Sequence, residues 1–201
     1  MAKTQDTWSD AAANAPWSRL IPPAPGDLRI VQAFVNTFDK DAKTDELTSP
    51  RALANWFARW GLAFEDDLRL TNSDLEKAIA AREGLRSLIR ANGGGNVDPR
   101  VVERLDRLAS ETAFRLRFEG AGATRLESRV GGLDGALGRL FKVVYLAQIE
   151  GRFWRRLRIC DSPDCSRAFY DRSTNRTARW CVKTRCGDRI NSRVYRNRRR
   201  Y

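Results

Sequence analysis

Residues 160–187, CDSPDCSRAFYDRSTNRTARWCVKTRCG, contain all four cysteines of the 201-residue chain. The cysteines form two pairs, each with four intervening residues, and fifteen residues separate the pairs. Two equal pairs at this separation are typical of a tetrahedral four-thiolate zinc site, because each short loop brings two sulfurs to one ion. The sequence therefore predicts a zinc-binding module with four ligands: Cys160, Cys165, Cys181 and Cys186.

Two other uses of four clustered cysteines compete with zinc. Disulfides are disfavoured if the chain is cytosolic, because thiols are kept reduced there. An iron–sulfur cluster is disfavoured because arginine dominates this segment, so that no apolar shell is expected around the sulfurs.

The charge of the chain is concentrated at its C-terminal end. Residues 151–201 contain 16 basic and four acidic side chains, whereas residues 1–150 contain 21 of each. The whole net charge of +12 therefore lies in the last quarter of the sequence. A neutral body with a strongly basic end indicates a polyanion-binding module attached to a separate domain.

The arginines near the cysteines are the candidate contacts to that polyanion. Arg189, Arg193, Arg196 and Arg200 recur at spacings of four, three and four residues. They would share one face of a helix that begins near the last cysteine. Arginine forks suit phosphate oxygens and guanine edges. The predicted nucleic-acid contacts are Arg176, Arg179, Lys183, Arg185, Arg189, Arg193 and Arg196.

DNA is the expected polymer, and RNA is its closest rival because Tyr170, Trp180 and Tyr195 could stack on bases. A third interpretation is a zinc-stabilised module whose arginines are a solvated face and whose partner is a protein. Within the module, residues 169–176 are predicted to form a strand and a turn, and Arg179-Trp180 the return strand. With the helix that follows, this predicts a treble-clef-like finger.

The rest of the chain predicts a mainly α fold with one small β-hairpin. Helix starts are expected at Asp27, at Ser49-Pro50, at a capping box of Ser73 and Glu76, and at Asp98-Pro99. Apolar alternation around a glycine turn predicts a hairpin near residues 113–130, and a longer helix follows it. The predicted organisation is an extended proline-rich arm at 1–26, a helical domain at 27–152 and the finger at 153–201.

The composition excludes several classes of function. No histidine is present, which removes histidine acid–base catalysis and serine–histidine or cysteine–histidine nucleophile pairs, so we expect a protein that is not an enzyme. No stretch approaches 18 uninterrupted apolar residues, so no membrane span is expected. The polar N-terminus lacks the apolar run of a secretory signal, and the expected location is the cytoplasm.

The finger resembles the CGNR zinc finger in its pattern Arg158-x-Cys160-x4-Cys165-x3-Phe169-Tyr170-Asp171-x-Ser173-x-Asn175, followed by Arg179-Trp180-Cys181. The family tetrad Cys-Gly-Asn-Arg corresponds here to Cys186-Gly187-Asp188-Arg189. Aspartate replaces the family asparagine, so any contact made through that asparagine does not carry over. Asp188 could instead cap the following helix.

The body resembles the ABATE domain that precedes this finger in bacterial stress-induced transcription regulators. The resemblance lies in Phe34-Val35-Asn36-Thr37, in the helix after Ser49-Pro50 and in residues 75–91. It implies zinc binding, DNA binding and a helical N-terminal domain that senses a ligand.

Asn36 and Thr37 are the polar candidates for such a ligand site, and their alternative role is hydrogen bonding inside the core. A small-molecule effector and a homodimer are further expectations, the latter because a single finger reads few bases.

Overall fold

The computed structural model describes residues 20–63, 69–120, 122–151 and 153–198, without the side chains of residues 194, 197 and 198. Most of the predicted arm, residues 1–19, lies outside the described residues, as does Arg200. The described part contains six α-helices: α1 (Leu28–Val35), α2 (Pro50–Arg59), α3 (Asn72–Ala91), α4 (Pro99–Ser110), α5 (Gly132–Glu150) and α6 (Asp188–Arg198). Its short strands are β1 (Phe38–Asp39), β2 (Thr44–Asp45), β3 (Phe114–Phe118), β4 (Thr124–Ser128), β5 (Leu157–Ile159) and β6 (Ala168–Tyr170).

Local capping starts two of the helices as predicted. The Ser49 hydroxyl accepts a hydrogen bond from the Ala52 amide at 3.1 Å, and the Asp98 carboxylate accepts one from the Arg100 amide at 2.9 Å. In both helices proline occupies the first turn, where its missing N–H costs nothing.

The capping box predicted at Ser73 and Glu76 is wrong. It is formed two residues earlier, by Thr71 and Asp74, whose side chains each bond the other's backbone amide. Thr71 has the extended backbone of a cap, whereas Ser73 is already inside the helix. Helix α1 ends at Val35, and Asn36 follows as its C-cap.

The strands form three separate antiparallel pairs, β1 with β2, β3 with β4 and β5 with β6. The β3–β4 hairpin confirms the prediction near residues 113–130. The finger pairing was predicted wrongly, because β6 pairs with β5, which precedes the first cysteine. Arg179 is not in a strand; its carbonyl accepts from the Asp161 amide at 3.0 Å and holds the chain beside the first cysteine loop.

One continuous apolar core extends from the body into the finger. Phe34, Trp56, Phe57 and Trp60 form an aromatic cluster between α1 and α2, with the Phe34 and Trp56 ring centroids 5.1 Å apart. Residues of the finger, among them Leu157, join the same core. The finger is therefore packed against the helical body. No helix in the described part of the chain is long and apolar enough to cross a membrane.

Candidate metal centre and basic surface

The four cysteine sulfurs form one compact cluster. All four lie within 4.8 Å of one another, and the sulfurs of Cys165 and Cys186 are each 3.7 Å from that of Cys181. A tetrahedral ion with metal–sulfur bonds of about 2.3 Å separates its sulfurs by about 3.8 Å. A disulfide requires about 2.05 Å, and all four cysteines are free. The geometry is therefore that of a tetrahedral metal site.

Backbone hydrogen bonds place these sulfurs. Cys160 follows β5, and its amide donates to the Arg167 carbonyl at 3.0 Å, while the Cys165 amide closes a tight turn onto Ser162 at 2.9 Å. Cys186 lies in a π-helical turn, Lys183–Gly187, that continues directly into α6. A Cβ at Gly187 would lie 3.0 Å from the Trp180 ring, so glycine there lets the indole pack against the turn.

The cysteine thiols shift one another's pKa through hydrogen bonds within the cluster. Hydrogen bonds from Cys160 and then Cys181 lower the pKa of the Cys165 thiol to about 2. The reciprocal bond from Cys165 raises the pKa of Cys160 to about 12, and bonds from Cys160 and Cys165 raise the pKa of Cys181. These hydrogen bonds thus favour the charged form of Cys165 and the neutral forms of Cys160 and Cys181. Ionisation of all four requires a cation among them, which is what a divalent metal supplies.

Arg167 provides a buried cation beside the cluster. Burial opposes its charged form, but the hydrogen bond to Asp39 and the negative charges of Asp39 and Cys165 hold its pKa above the ordinary value. Its Nε and Nη1 atoms are buried and have no hydrogen-bond partner among the described residues. Four thiolates on a divalent ion carry a net charge of −2, so this unpartnered guanidinium edge fits a loaded site.

The surroundings of the sulfurs differ from the sequence expectation. Cys160, Cys165 and Cys186 are buried in the main apolar core, together with Ile159 and Phe169. The expected absence of an apolar shell is therefore wrong, because these cysteines share one buried cluster with apolar side chains of the finger.

Asp171 organises the loop between the two cysteine pairs. Its carboxylate is buried and accepts from the Ser173 amide at 2.8 Å, the Ser173 hydroxyl at 2.6 Å and the Ala178 amide at 3.0 Å. Burial raises its pKa, but these bonds and the nearby Arg158 outweigh burial and lower it. The folding of this loop thus explains why the finger pattern contains Arg158, Asp171 and Ser173.

Four of the predicted nucleic-acid contacts are ion-paired on the protein surface. Arg179 pairs with Asp161 at 2.9 Å and Arg193 with Asp164 at 2.6 Å, both within the finger. Arg185 and Arg189 both pair with a body residue, Asp41, which no motif or spacing in the sequence indicated.

The remaining three predicted contacts are exposed. Arg176 has a left-handed backbone, with φ of 54°, and its carbonyl accepts from Arg158 at 2.6 Å. The Arg196 guanidinium donates to the Ser192 carbonyl one turn earlier, at 3.2 Å. An open groove follows the outer face of α6, lined by Thr184, Arg185, Asp188, Arg189, Ser192, Arg193 and Arg196. The structure therefore brings four of the seven predicted residues together along α6 and the turn that precedes it.

The side chains of Asn36 and Thr37 make their hydrogen bonds inside the core. The Asn36 side chain exchanges two hydrogen bonds with the backbone of Ala168 in β6, at 2.9 and 2.7 Å. The Thr37 hydroxyl donates to the Phe34 carbonyl and accepts from Arg82. Both side chains are buried. Their hydrogen bonds stabilise the core and the contact between body and finger, which is the alternative role considered for them from the sequence.

A four-cysteine metal finger docked on a helical domain is the class of protein that this fold and site define. Residues 28–147 match the model of the ABATE family, described as "Putative stress-induced transcription regulator", and residues 156–199 match the CGNR zinc finger. The chain belongs to the ABATE family and ends in a CGNR zinc finger. No curated protein matches the chain.

Proposed function

We propose that this protein is a zinc-dependent, DNA-binding transcription regulator of the cytoplasm, active in the bacterial stress response. The observation that carries the proposal is the continuity between the metal cluster and α6. The turn that holds Cys186 runs directly into a helix whose outer groove is lined by four arginines. Zinc is the proposed metal because it prefers four thiolates in tetrahedral geometry and because the finger belongs to a zinc-finger family.

The proposed contact places the outer face of α6 against the DNA. An α-helix fits the major groove, where arginine forks reach phosphate oxygens and guanine edges. The metal fixes the start of this helix, so that the arginines approach the duplex from a rigid base. Dimerisation would supply a second half-site, since one finger reads few bases.

DNA is favoured over RNA by the positions of the aromatic side chains. Trp180 packs against Gly187 and has Arg179 over its face, with the guanidinium carbon 5.0 Å from the ring centroid. Tyr170 is half-buried and is covered by Arg172. Of the three stacking candidates, Tyr195 has the most exposed side chain. Recognition of RNA commonly relies on exposed aromatic side chains that stack on bases, and this surface offers few of them.

We propose no enzymatic step for the chain, which lacks histidine. The body is proposed to hold the finger in a fixed orientation. An effector remains part of the proposal, with its site elsewhere than at Asn36 and Thr37.

The arginine stripe, Arg189, Arg193 and Arg196, gives the decisive test. We expect binding of the parent protein to duplex DNA to weaken with salt at a slope of at least about −4, as roughly five neutralised phosphates would give. Changing all three arginines to alanine should make that slope shallower by about three units. Fluorescence anisotropy with a labelled duplex across a salt series measures both slopes.

Helix α4 offers a matched control. Arg100, Arg104 and Arg107 have the same four-and-three spacing and are exposed, but they belong to the body. Their triple alanine variant loses the same charge and should keep the parent slope. If the stripe variant retains zinc and fold and binds DNA and RNA as the parent does, the stripe is a solvated face and DNA binding by this helix is wrong. Sequencing of nucleic acid that co-purifies with the parent distinguishes DNA from RNA.

A further inference from the structure

A short loop of the body, residues 39–45, lies against the finger beside the metal cluster. Asp39 pairs with Arg167, the Lys40 ammonium donates to the Pro163 carbonyl at 2.7 Å, and Asp41 pairs with two arginines of the finger. Three consecutive body residues thus contact the finger, which makes this loop a direct link between the two parts of the chain.

The contact of Asp41 is the most unusual of the three. Its Oδ2 lies 2.5 Å from Arg185 Nη2 and its Oδ1 lies 2.8 Å from Arg189 Nη1, so each carboxylate oxygen takes one guanidinium. Arg185 precedes the last metal ligand, and Arg189 lies one helical turn later. The carboxylate is 13% exposed, while the two arginine side chains are 38% and 45% exposed and still face solvent.

In this arrangement two guanidinium groups each bind one oxygen of the same anionic group. Arginines bind a phosphate in the same way. Both arginines also line the basic groove of α6. We propose that Arg185 and Arg189 form a phosphate subsite for the nucleic-acid backbone, which the Asp41 carboxylate occupies in the free protein. Phosphate and Asp41 compete for this subsite, so the body lowers the affinity of the finger. This inference rests on the proposed function.

Displacement of Asp41 is physically inexpensive. The two arginines are more than a third exposed, and such ion pairs contribute little net stability in water. The carboxylate nevertheless acts as a counterion that is attached to the protein. While it occupies the subsite, one fewer solution ion is available to be released when the polyanion binds, and counterion release drives that binding.

Hydrogen bonds within the loop couple the occupancy of the subsite to the conformation of the body. The amides of Asp41 and Ala42 both donate to Asp39 Oδ1, at 3.0 and 3.2 Å, and the other Asp39 oxygen binds Arg167. When Asp41 is released, the loop loses the ion pairs with Arg185 and Arg189 that help to keep these amides in place. Occupancy of the groove by phosphate and order in the loop are therefore linked, and the linkage acts in both directions.

The test compares Asp41→Asn with the parent on a labelled mixed-sequence DNA duplex, using zinc-loaded full-length protein. Asp41→Asn should bind about tenfold more tightly near 0.1 M salt and steepen the salt slope by about one unit, as one additional released counterion predicts. Asp106→Asn removes the same charge from α4 and should bind as the parent does. The gain should disappear when Asp41→Asn is combined with Arg185→Ala and Arg189→Ala.

A second readout is amide hydrogen exchange in the loop. Saturating duplex should speed exchange of the Asp41 and Ala42 amides in the parent. Equal affinity and slope for Asp41→Asn and Asp106→Asn, or unchanged exchange, would overturn the proposal. Weaker binding by Asp41→Asn would also overturn it and would make Asp41 a residue that orients the arginines.

Failure of the proposed function gives a different result. In that case the parent itself shows no salt-dependent binding to either duplex DNA or RNA. The subsite is then tested with inorganic tripolyphosphate by isothermal titration calorimetry. Tighter binding of tripolyphosphate to Asp41→Asn than to Asp106→Asn supports the subsite even then, and equal binding rejects it.

Discussion

Removal of the metal is expected to unfold the finger and to destabilise the helical body as well. Structural zinc contributes about 10–16 kcal/mol to folding of isolated finger peptides, which is comparable to the whole stability of a typical domain, about 5–15 kcal/mol. From the sequence alone the body would be expected to stay intact, because it has its own core. The structure changes that expectation, since β6 is the hydrogen-bond partner of buried body side chains.

Three body residues would lose such partners. Gln32 and Asn36 both donate to the Ala168 carbonyl, at 3.3 and 2.9 Å, and Arg86 donates to the Ser166 carbonyl at 2.5 Å. All three side chains are buried, and a buried polar group left without a partner costs about 1–3 kcal/mol. We therefore expect chelation to lower the melting temperature of the body as well as that of the finger.

Cys165→Ser should reproduce the effect of chelation. The measurements are elemental analysis of the purified protein, thermal melting, and amide exchange resolved between finger and body. Ser166→Ala is the matched control, because it alters the neighbouring residue, whose buried hydroxyl has no hydrogen-bond partner among the described residues. We expect about one zinc per parent chain, and readdition of zinc should restore the parent melt only in the chelated protein.

Several results would contradict this prediction. Iron with the visible absorption of an iron–sulfur cluster would make zinc wrong while leaving the four ligands in place. A Cys165→Ser variant that keeps its metal and melts as the parent does would remove Cys165 from the ligand set. An unchanged melting temperature of the body after chelation would show that the contacts with the finger contribute little to the stability of the body.

The second large effect is expected from Arg86→Ala, which removes the side chain that joins three parts of the fold. The Arg86 guanidinium donates to the carbonyls of Ser166 in the finger and Val35 at the end of α1, and to Glu83 on its own helix. Burial lowers its pKa, while Glu83 opposes that shift. Breaking a buried charged network of this kind costs about 3–5 kcal/mol.

For a chain of this length, that loss corresponds to a fall in melting temperature of roughly 6–20 °C. Arg90→Ala is the control, since Arg90 lies one turn later on α3 with an exposed side chain. Zinc affinity gives an independent readout, because Arg86 holds the residue that follows Cys165. Equal melting temperatures for the two variants would show that water or neighbouring groups replace the lost bonds.

Features with a local physical cause could be predicted from the sequence. The ligand set follows from the spacing of Cys160, Cys165, Cys181 and Cys186, because short loops alone bring each pair together. The caps at Ser49 and Asp98 and the β3–β4 hairpin depend on residues within a few positions of one another. The helix that contains the arginine stripe could also be predicted from local sequence.

Errors arose where two local solutions were nearly equivalent. Two residue pairs have the spacing of a capping box: Thr71 with Asp74, and Ser73 with Glu76. The extended backbone conformation of Thr71 makes the first pair the cap. Pairing of β6 with β5 required the chain before Cys160 to be recognised as a strand, although it has only three residues.

The relation between body and finger was decided by tertiary structure alone. Asp41 meets Arg185 across 144 residues of sequence, and Asn36 meets Ala168 across 132. Each of these polar groups finds its hydrogen-bond or ion-pair partner on the surface that packs against it. Burial of the shared apolar core determines which surface that is. The metal ligands and the basic helix follow from local patterns of residues. Packing alone places a carboxylate of the body against Arg185 and Arg189, because no short-range pattern links groups that meet where two separate surfaces pack together.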